Sequence, residues 1–237
     1  MYCMERLIVS VHIAKTGGCS FGSYLKSQFG DEMYFIYRCL RCESFLYATT
    51  RDRVHEMQQS DCAGHGTTVE KIAQAIKDNH IRCIHGHFAP KLFSPYFNNP
   101  AFVVWFRNPA DRAVSEYEFL RRCPDAARKK LKPLLEEGRQ VEFYEHIANV
   151  QSRFIGGMPL EKFDFIGITE HFERDIRLFA RQFGLPDKEI PQENVNPQKG
   201  VGHYALDPET RAMLERINSV GMHLYRAACE IARQRIH

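Results

Sequence analysis

Apolar residues along this chain fall into short continuous runs at Leu7–Ile13, Met33–Tyr37, Ile81–Ile84, Ala101–Phe106 and Phe163–Ile168. Runs this short, without polar alternation, predict strands buried on both faces. Between them the period changes. Val69, Ile72, Ala73 and Ile76 fall at i, i+3, i+4 and i+7, while Ala113, Val114, Tyr117 and Leu120 form a second stripe. Phe172, Ile176, Phe179 and Ala180 form a third, and a long C-terminal pattern runs from about Pro208 to Ile236. These spacings predict helices. Strands alternating with helices imply an α/β fold, in which a central, mainly parallel sheet is flanked by helices in three layers. The chain shows no repeat and no linker, so residues 1–237 read as a single domain. Two segments lack the pattern: Pro124–Gly138, rich in charge, and Pro186–Gly202, a long loop of the kind that serves as a lid.

Composition changes this picture little. With 44% hydrophobic residues in 237, the chain can bury one substantial core, and a net charge of +3 leaves any charge logic local. No run is long enough to predict a transmembrane segment, and the first residues lead into a buried strand rather than a signal peptide. Eight cysteines at irregular spacing fit reduced thiols better than a disulfide framework, which points to a cytoplasmic protein.

Three motifs carry candidate chemistry. The first is His12-Ile13-Ala14-Lys15-Thr16-Gly17-Gly18-Cys19-Ser20, which follows the first strand and opens a helix. Two glycines permit close backbone approach to a ligand, and a helix start suits a phosphate, so the loop is P-loop-like. It is not a nucleoside-triphosphate loop, since the lysine precedes the glycines instead of following them. A glycine-bearing turn with a solvated lysine remains the plain alternative. The second motif runs from Phe102 to Ser115: an apolar strand ends at Arg107, Asn108 is a good N-cap, and Pro109 fits the first helical position. Arg107 with Ser115, two turns into the helix, makes a clamp for a phosphate monoester; the alternative is a surface arginine pairing with Asp111. The third is His85-Gly86-His87, directly after a strand. Alternation places both histidines on one side, Gly86 permits a tight approach by substrate, and one imidazole can accept a proton near neutral pH. All three motifs follow strands at the carboxyl edge, where open α/β sheets bind ligands.

Two features suggest other readings. Cys39, Cys42, Cys62 and His65 offer Cys-x2-Cys and Cys-x2-His, which could hold zinc and stabilise a non-catalytic binding module. The basic residues Arg121, Arg122, Arg128, Lys129, Lys130 and Lys132 could meet an anionic acceptor, although a solvated helix face explains them as well. Aromatics are not interleaved with these cations, which argues against nucleic acid as a partner. A phosphotransferase of the kinase type shares phosphate loops and similar sheets, and the missing GK[ST] order counts against it.

Taken together, the motifs resemble the sulfotransferases that use 3′-phosphoadenosine 5′-phosphosulfate (PAPS), particularly the carbohydrate-type enzymes related to heparan sulfate 2-O-sulfotransferase. His12 to Ser20 resembles the family's 5′-phosphosulfate loop, H-I-P-K-T-G-G-T-S, and Phe106 to Ser115 its 3′-phosphate motif, R-[DN]-P-x-x-R-x-x-S. His85-Gly86-His87 is similar to the H-G-H segment of the 2-O-sulfotransferases. Asn149–Arg153 and Gly167–Glu170 extend the likeness. The resemblance implies PAPS as donor, with no metal required, and a hydroxylated acceptor on a carbohydrate or related small molecule. It assigns the loop Thr16, Gly17, Gly18, Cys19 and Ser20 to the phosphosulfate and Lys15 to the leaving group. Arg107 and Ser115 fall to the 3′-phosphate, His87 to the general base, and Lys199 to a nucleotide-contacting lid. His85 either positions substrate or packs. Ala14 and Cys19 depart from the usual proline and threonine, so a hydroxyl contact to phosphate is lost while the Cys19 amide remains.

Overall fold

Five of the strands lie within the five apolar runs or overlap them. The computed structural model describes residues 6–38, 46–49, 69–123, 131–190 and 204–235. Its strands are β1 (Ile8–Val11), β2 (Met33–Arg38), β3 (Leu46–Thr49), β4 (Cys83–Gly86), β5 (Ala101–Phe106) and β6 (Phe165–Ile168), in the order β3-β2-β4-β1-β5-β6. All neighbours pair in parallel except β2 with β3. The antiparallel edge strand β3 is the one the hydrophobic pattern did not predict. Leu46-Tyr47-Ala48-Thr49 is a short run of mixed polarity, as edge strands are.

The helices are α1 (Gly18–Phe29), α2 (Val69–Asp78), α3 (Pro109–Arg122), α4 (Lys132–Glu136), α5 (Gln140–His146), α6 (Val150–Phe154), α7 (Phe172–Gln182), α8 (Pro208–Ile217) and α9 (Ser219–Gln234). The predicted single C-terminal helix is therefore two. The break falls at Asn218, which is buried: its amide donates to Leu214 O at 2.9 Å, and its Oδ1 accepts the Asn149 N–H at 2.9 Å. Asn149 Oδ1 in turn accepts from Gly221 N at 2.8 Å. A helix interrupted there joins the start of α6 to the C-terminal pair.

Alternation along the strands builds the layers. Val9, Val11, Ile84, Val104 and Ile166 face one side with Ile72 and Ile76 of α2 and Ala228 and Ala232 of α9. Ile8, Cys83, Val103, Trp105 and Phe165 face the other with Phe21 and Leu25 of α1 and Ile176 and Phe179 of α7. The result is a mostly parallel sheet covered by helices on both faces, as the sequence implied. A third cluster, including Ala113, Phe143, Tyr144 and Leu214, ties α3, α5 and α8 together beside the sheet.

Because the strands are parallel, the turns after β1, β4, β5 and β6 leave from one edge. The chain passes from β1 toward β2 on one side and from β5 toward β6 on the other, although β1 and β5 are neighbours. The crevice between their carboxyl ends is the point where the winding reverses, and such switch points are where open sheets bind ligands.

Candidate active site

The loop after β1 has an unusual backbone, which its sequence explains at the two glycines. Lys15 and Gly17 both have positive φ, 69° and 80°. Gly17 caps α1 without a side-chain bond, and a Cβ there would lie 2.9 Å from the Phe172 ring. At Gly18 a Cβ would fall 1.9 Å from Cδ2 of the buried His12 ring, so only glycine lets the helix begin against that imidazole. The first turn of α1, with half-exposed Gly17, buried Gly18, exposed Cys19 and buried Ser20, presents main-chain N–H groups at the positive end of the helix dipole. Thr16 has a different part from the one expected. Its hydroxyl donates to Ile13 O at 2.9 Å and its amide turns to the same carbonyl, so it shapes the loop from within.

The turn after β5 reaches across the crevice to that loop. Asn108 caps α3 as expected, accepting from Ala110 N and Asp111 N, with Pro109 at the first position. Arg107 is 6% exposed, and its Nη1 donates to Lys15 O at 3.1 Å. Its Nε and Nη2 are buried without a hydrogen-bond partner among the described residues. A guanidinium in that condition carries a desolvation cost that an anion of fitting shape would offset. Its main chain is fixed by buried Gln151, whose amide accepts from Arg107 N at 2.9 Å and donates to Arg107 O at 2.7 Å.

The lysine and serine complete the grouping. Lys15 Nζ lies 4.1 Å from the centre of the Phe119 ring on α3. Ser115 is half-buried and stands four residues before Phe119, on the same helix face. Lys15, Arg107 and Ser115 therefore border one crevice. Burial lowers the Lys15 pKa, and the nearby Glu116 carboxylate opposes the shift. Tyr204 stands with its ring 5.6 Å from the Arg107 guanidinium, and its amide donates to buried Asp111 at 3.0 Å. Lys199 lies outside the described residues, as do Cys39, Cys42, Cys62 and His65. Among the described residues no group of three or more His, Cys, Asp or Glu could hold a metal ion.

The histidines separate into different parts. His85 is 1% exposed; its Nε2–H donates to Gly18 O at 3.0 Å and its Nδ1 accepts from Ser10 Oγ at 2.8 Å. Burial pushes its pKa down to about 3. Of the two parts open to His85, its contacts match packing: both ring nitrogens bond inside the protein, where the side chain braces the loop from below. The reading of Gly86 is corrected. A Cβ there would sit 1.4 Å from Ile36 O, so the glycine serves the close approach of β2, not of a substrate. His87 is half-buried at the edge and its Nδ1–H donates to His12 O at 2.6 Å. In the neutral ring this bond leaves the lone pair on Nε2, the arrangement of a positioned base. The His12 ring stacks on both neighbours, with ring centres 4.4 Å from His87 and 5.0 Å from His85. Burial, with the two other imidazoles adding to it, holds the His12 pKa well below its ordinary value.

Several supporting residues carried no assigned part in the sequence reading. Gln151, Glu170 and Thr169 hold main-chain atoms of the two motifs, and Tyr204 meets the side chains of Arg107 and Asp111. Glu170 Oε1 accepts Asn108 N at 2.8 Å, and its Oε2 accepts the Tyr225 hydroxyl at 3.0 Å. The available signal was placement: Thr169 and Glu170 directly follow an apolar run at the carboxyl edge, as the other motifs do.

A family model described as the sulfotransferase domain matches residues 15–155, more than half of the chain. No curated protein matches the sequence. The crystal structure of a sulfotransferase from Alicyclobacillus acidocaldarius superposes with a TM-score of 0.51 at 18% identity, covering 92% of each chain. That of mouse sulfotransferase SULT7A1 complexed with PAP gives 0.47 at 11% identity, covering 97% of this chain and 89% of that one. The first likeness bears on the fold alone, and it agrees with the layers described above. Since the matched residues include the Lys15 loop, the histidine segment and the Arg107 turn, the chain belongs to the sulfotransferase domain family.

Proposed function

We propose that this protein transfers a sulfuryl group from PAPS to an acceptor hydroxyl, and that the donor lies across the crevice between β1 and β5. One observation carries the reading. Arg107 is buried with two guanidinium nitrogens lacking partners among the described residues while its third holds the Lys15 carbonyl, so an anion-seeking group is locked beside a phosphate-type loop. The residues fit the donor: Arg107 and Ser115 take the 3′-phosphate, the amides from Gly17 to Ser20 take the 5′-phosphosulfate, and Lys15 stabilises the leaving phosphate. In the transfer, the sulfur–oxygen bond to the donor phosphate breaks as one forms to the acceptor oxygen. The acceptor proton passes to His87 Nε2. The products are the sulfated acceptor and adenosine 3′,5′-bisphosphate (PAP). Catalysis then rests on positioning and on charge stabilisation within a preformed site.

The acceptor proposed is a hydroxyl on a carbohydrate or related small molecule. The support is the His-Gly-His segment, which resembles that of heparan sulfate 2-O-sulfotransferase and whose second histidine here has a lone pair directed by a main-chain bond. We read the chain as one domain, because α9 packs on the core side of the sheet with α2. A cytoplasmic location is supported by the scattered cysteines, of which Cys83, Cys123 and Cys229 are free thiols. Among the described residues no helix is long and apolar enough to cross a membrane.

Transfer of labelled sulfate from PAPS to a panel of hydroxylated acceptors tests the reaction, with carbohydrate acceptors expected to be labelled. Thermal shift tests the donor. PAP at a hundred times its Kd should stabilise the protein by about 2.7 kcal/mol, whereas ATP with magnesium should not. Stabilisation by ATP and magnesium alone would replace this reading with a phosphotransferase.

A further inference from the structure

The side chain that joins the two halves of the crevice belongs to neither motif. Thr169, the residue after β6, is half-buried, and its Oγ1 lies 2.8 Å from Thr16 O and 3.0 Å from Phe106 O. A hydroxyl has one proton, so it is shared between the two carbonyls as a three-centre bond. One acceptor is in the loop after β1 and the other is the last residue of β5. The hydroxyl therefore spans the place where the winding of the sheet reverses.

The consequence for the loop follows from peptide geometry. In a trans peptide the carbonyl of one residue and the N–H of the next point in opposite directions. Holding Thr16 O toward β5 and β6 thus aims the Gly17 N–H the other way. Gly17 is also where the chain has most rotational freedom, with φ at 80° and no side-chain cap on the helix it starts. The preceding carbonyl, Lys15 O, is held by Arg107. Successive carbonyls are thus fixed by two different residues, and the peptide plane ahead of Gly17 is the one that Thr169 controls. The β6 ladder does not need this bond, because the Phe165–Ile168 pairing with β5 ends one residue earlier.

We infer that Thr169 is a positioning residue for the donor site: its hydroxyl sets the Thr16–Gly17 peptide plane and locks the loop after β1 to the end of β5. The inference rests on the donor reading for its ligand but not for its geometry. Thr169→Val keeps the shape and removes the proton, whereas Thr169→Ser keeps the proton and removes a methyl group.

The test uses the full chain and two readouts. Amide hydrogen exchange of residues 14–20 without ligand should be about tenfold faster in Thr169→Val than in wild type. PAP affinity by calorimetry should fall about tenfold, with donor KM raised and kcat at saturating donor little changed. Thr169→Ser should match wild type in both. Equal loop exchange in Thr169→Val and wild type would overturn the inference, as would a serine variant as impaired as the valine one. If wild-type protein bound no PAP, the donor reading would fail, and the exchange contrast alone would still decide whether Thr169 holds the loop.

Discussion

Replacing His87 by alanine should lower turnover by about a hundredfold or more while leaving PAP affinity within about twofold. The split follows from where the ring stands. Its Nδ1–H is committed to His12 O, which fixes the tautomer and directs the basic nitrogen. The edge of Phe154 borders the ring at 5.9 Å, so removing the imidazole leaves a small gap beside the crevice without disturbing the sheet. Steady-state rates at saturating donor and acceptor, set beside calorimetric PAP affinity, measure the two parts. Unchanged turnover in the purified variant would remove His87 from the base role. Alanine at His85 should behave differently. It opens a cavity under Gly18 and Gly22, so the loss should appear as reduced thermal stability before any change specific to the chemical step.

Arg107→Ala should weaken PAP binding by about two orders of magnitude, since truncating one partner of a buried charged contact costs about 2–5 kcal/mol. The buried residue already bears the cost of desolvation, with Nε and Nη2 unmatched among the described residues, so much of its interaction with an anion would be realised at binding. Arg107→Lys should recover only part of the loss. An ammonium keeps the charge but cannot hold Lys15 O and a phosphate in the same plane. Calorimetry on both variants gives the comparison, and a lysine variant equal to wild type would show that charge alone, without the planar fork, accounts for the site.

The parts of this molecule that the sequence made legible are those set by local chemistry. Continuous apolar runs located five of the six strands among the described residues, and Asn108-Pro109 placed the start of α3 by capping alone. What it left open depended on contacts distant in sequence. His85 and His87 look alike two residues apart, yet α1 buries one ring beneath Gly18 and leaves the other at the edge. Gly86 reads as room for a ligand until β2 is seen to lie against it. The division of the C-terminal helix turns on Asn218 meeting Asn149, a partner 69 residues away. Thr169 and Gln151 work by holding main-chain atoms, a role with no side-chain pattern of its own.

The central claim is that the Lys15 loop and the Arg107–Ser115 pair grip opposite ends of a single adenosine bisphosphate. Calorimetric titration of the wild-type protein with PAP and with adenosine 5′-phosphate, which lacks the 3′-phosphate, addresses it most directly. A single saturable site that strongly prefers PAP, and that loses this preference in Arg107→Ala, is the outcome expected. No heat with PAP, or equal affinity for the two nucleotides, would contradict it.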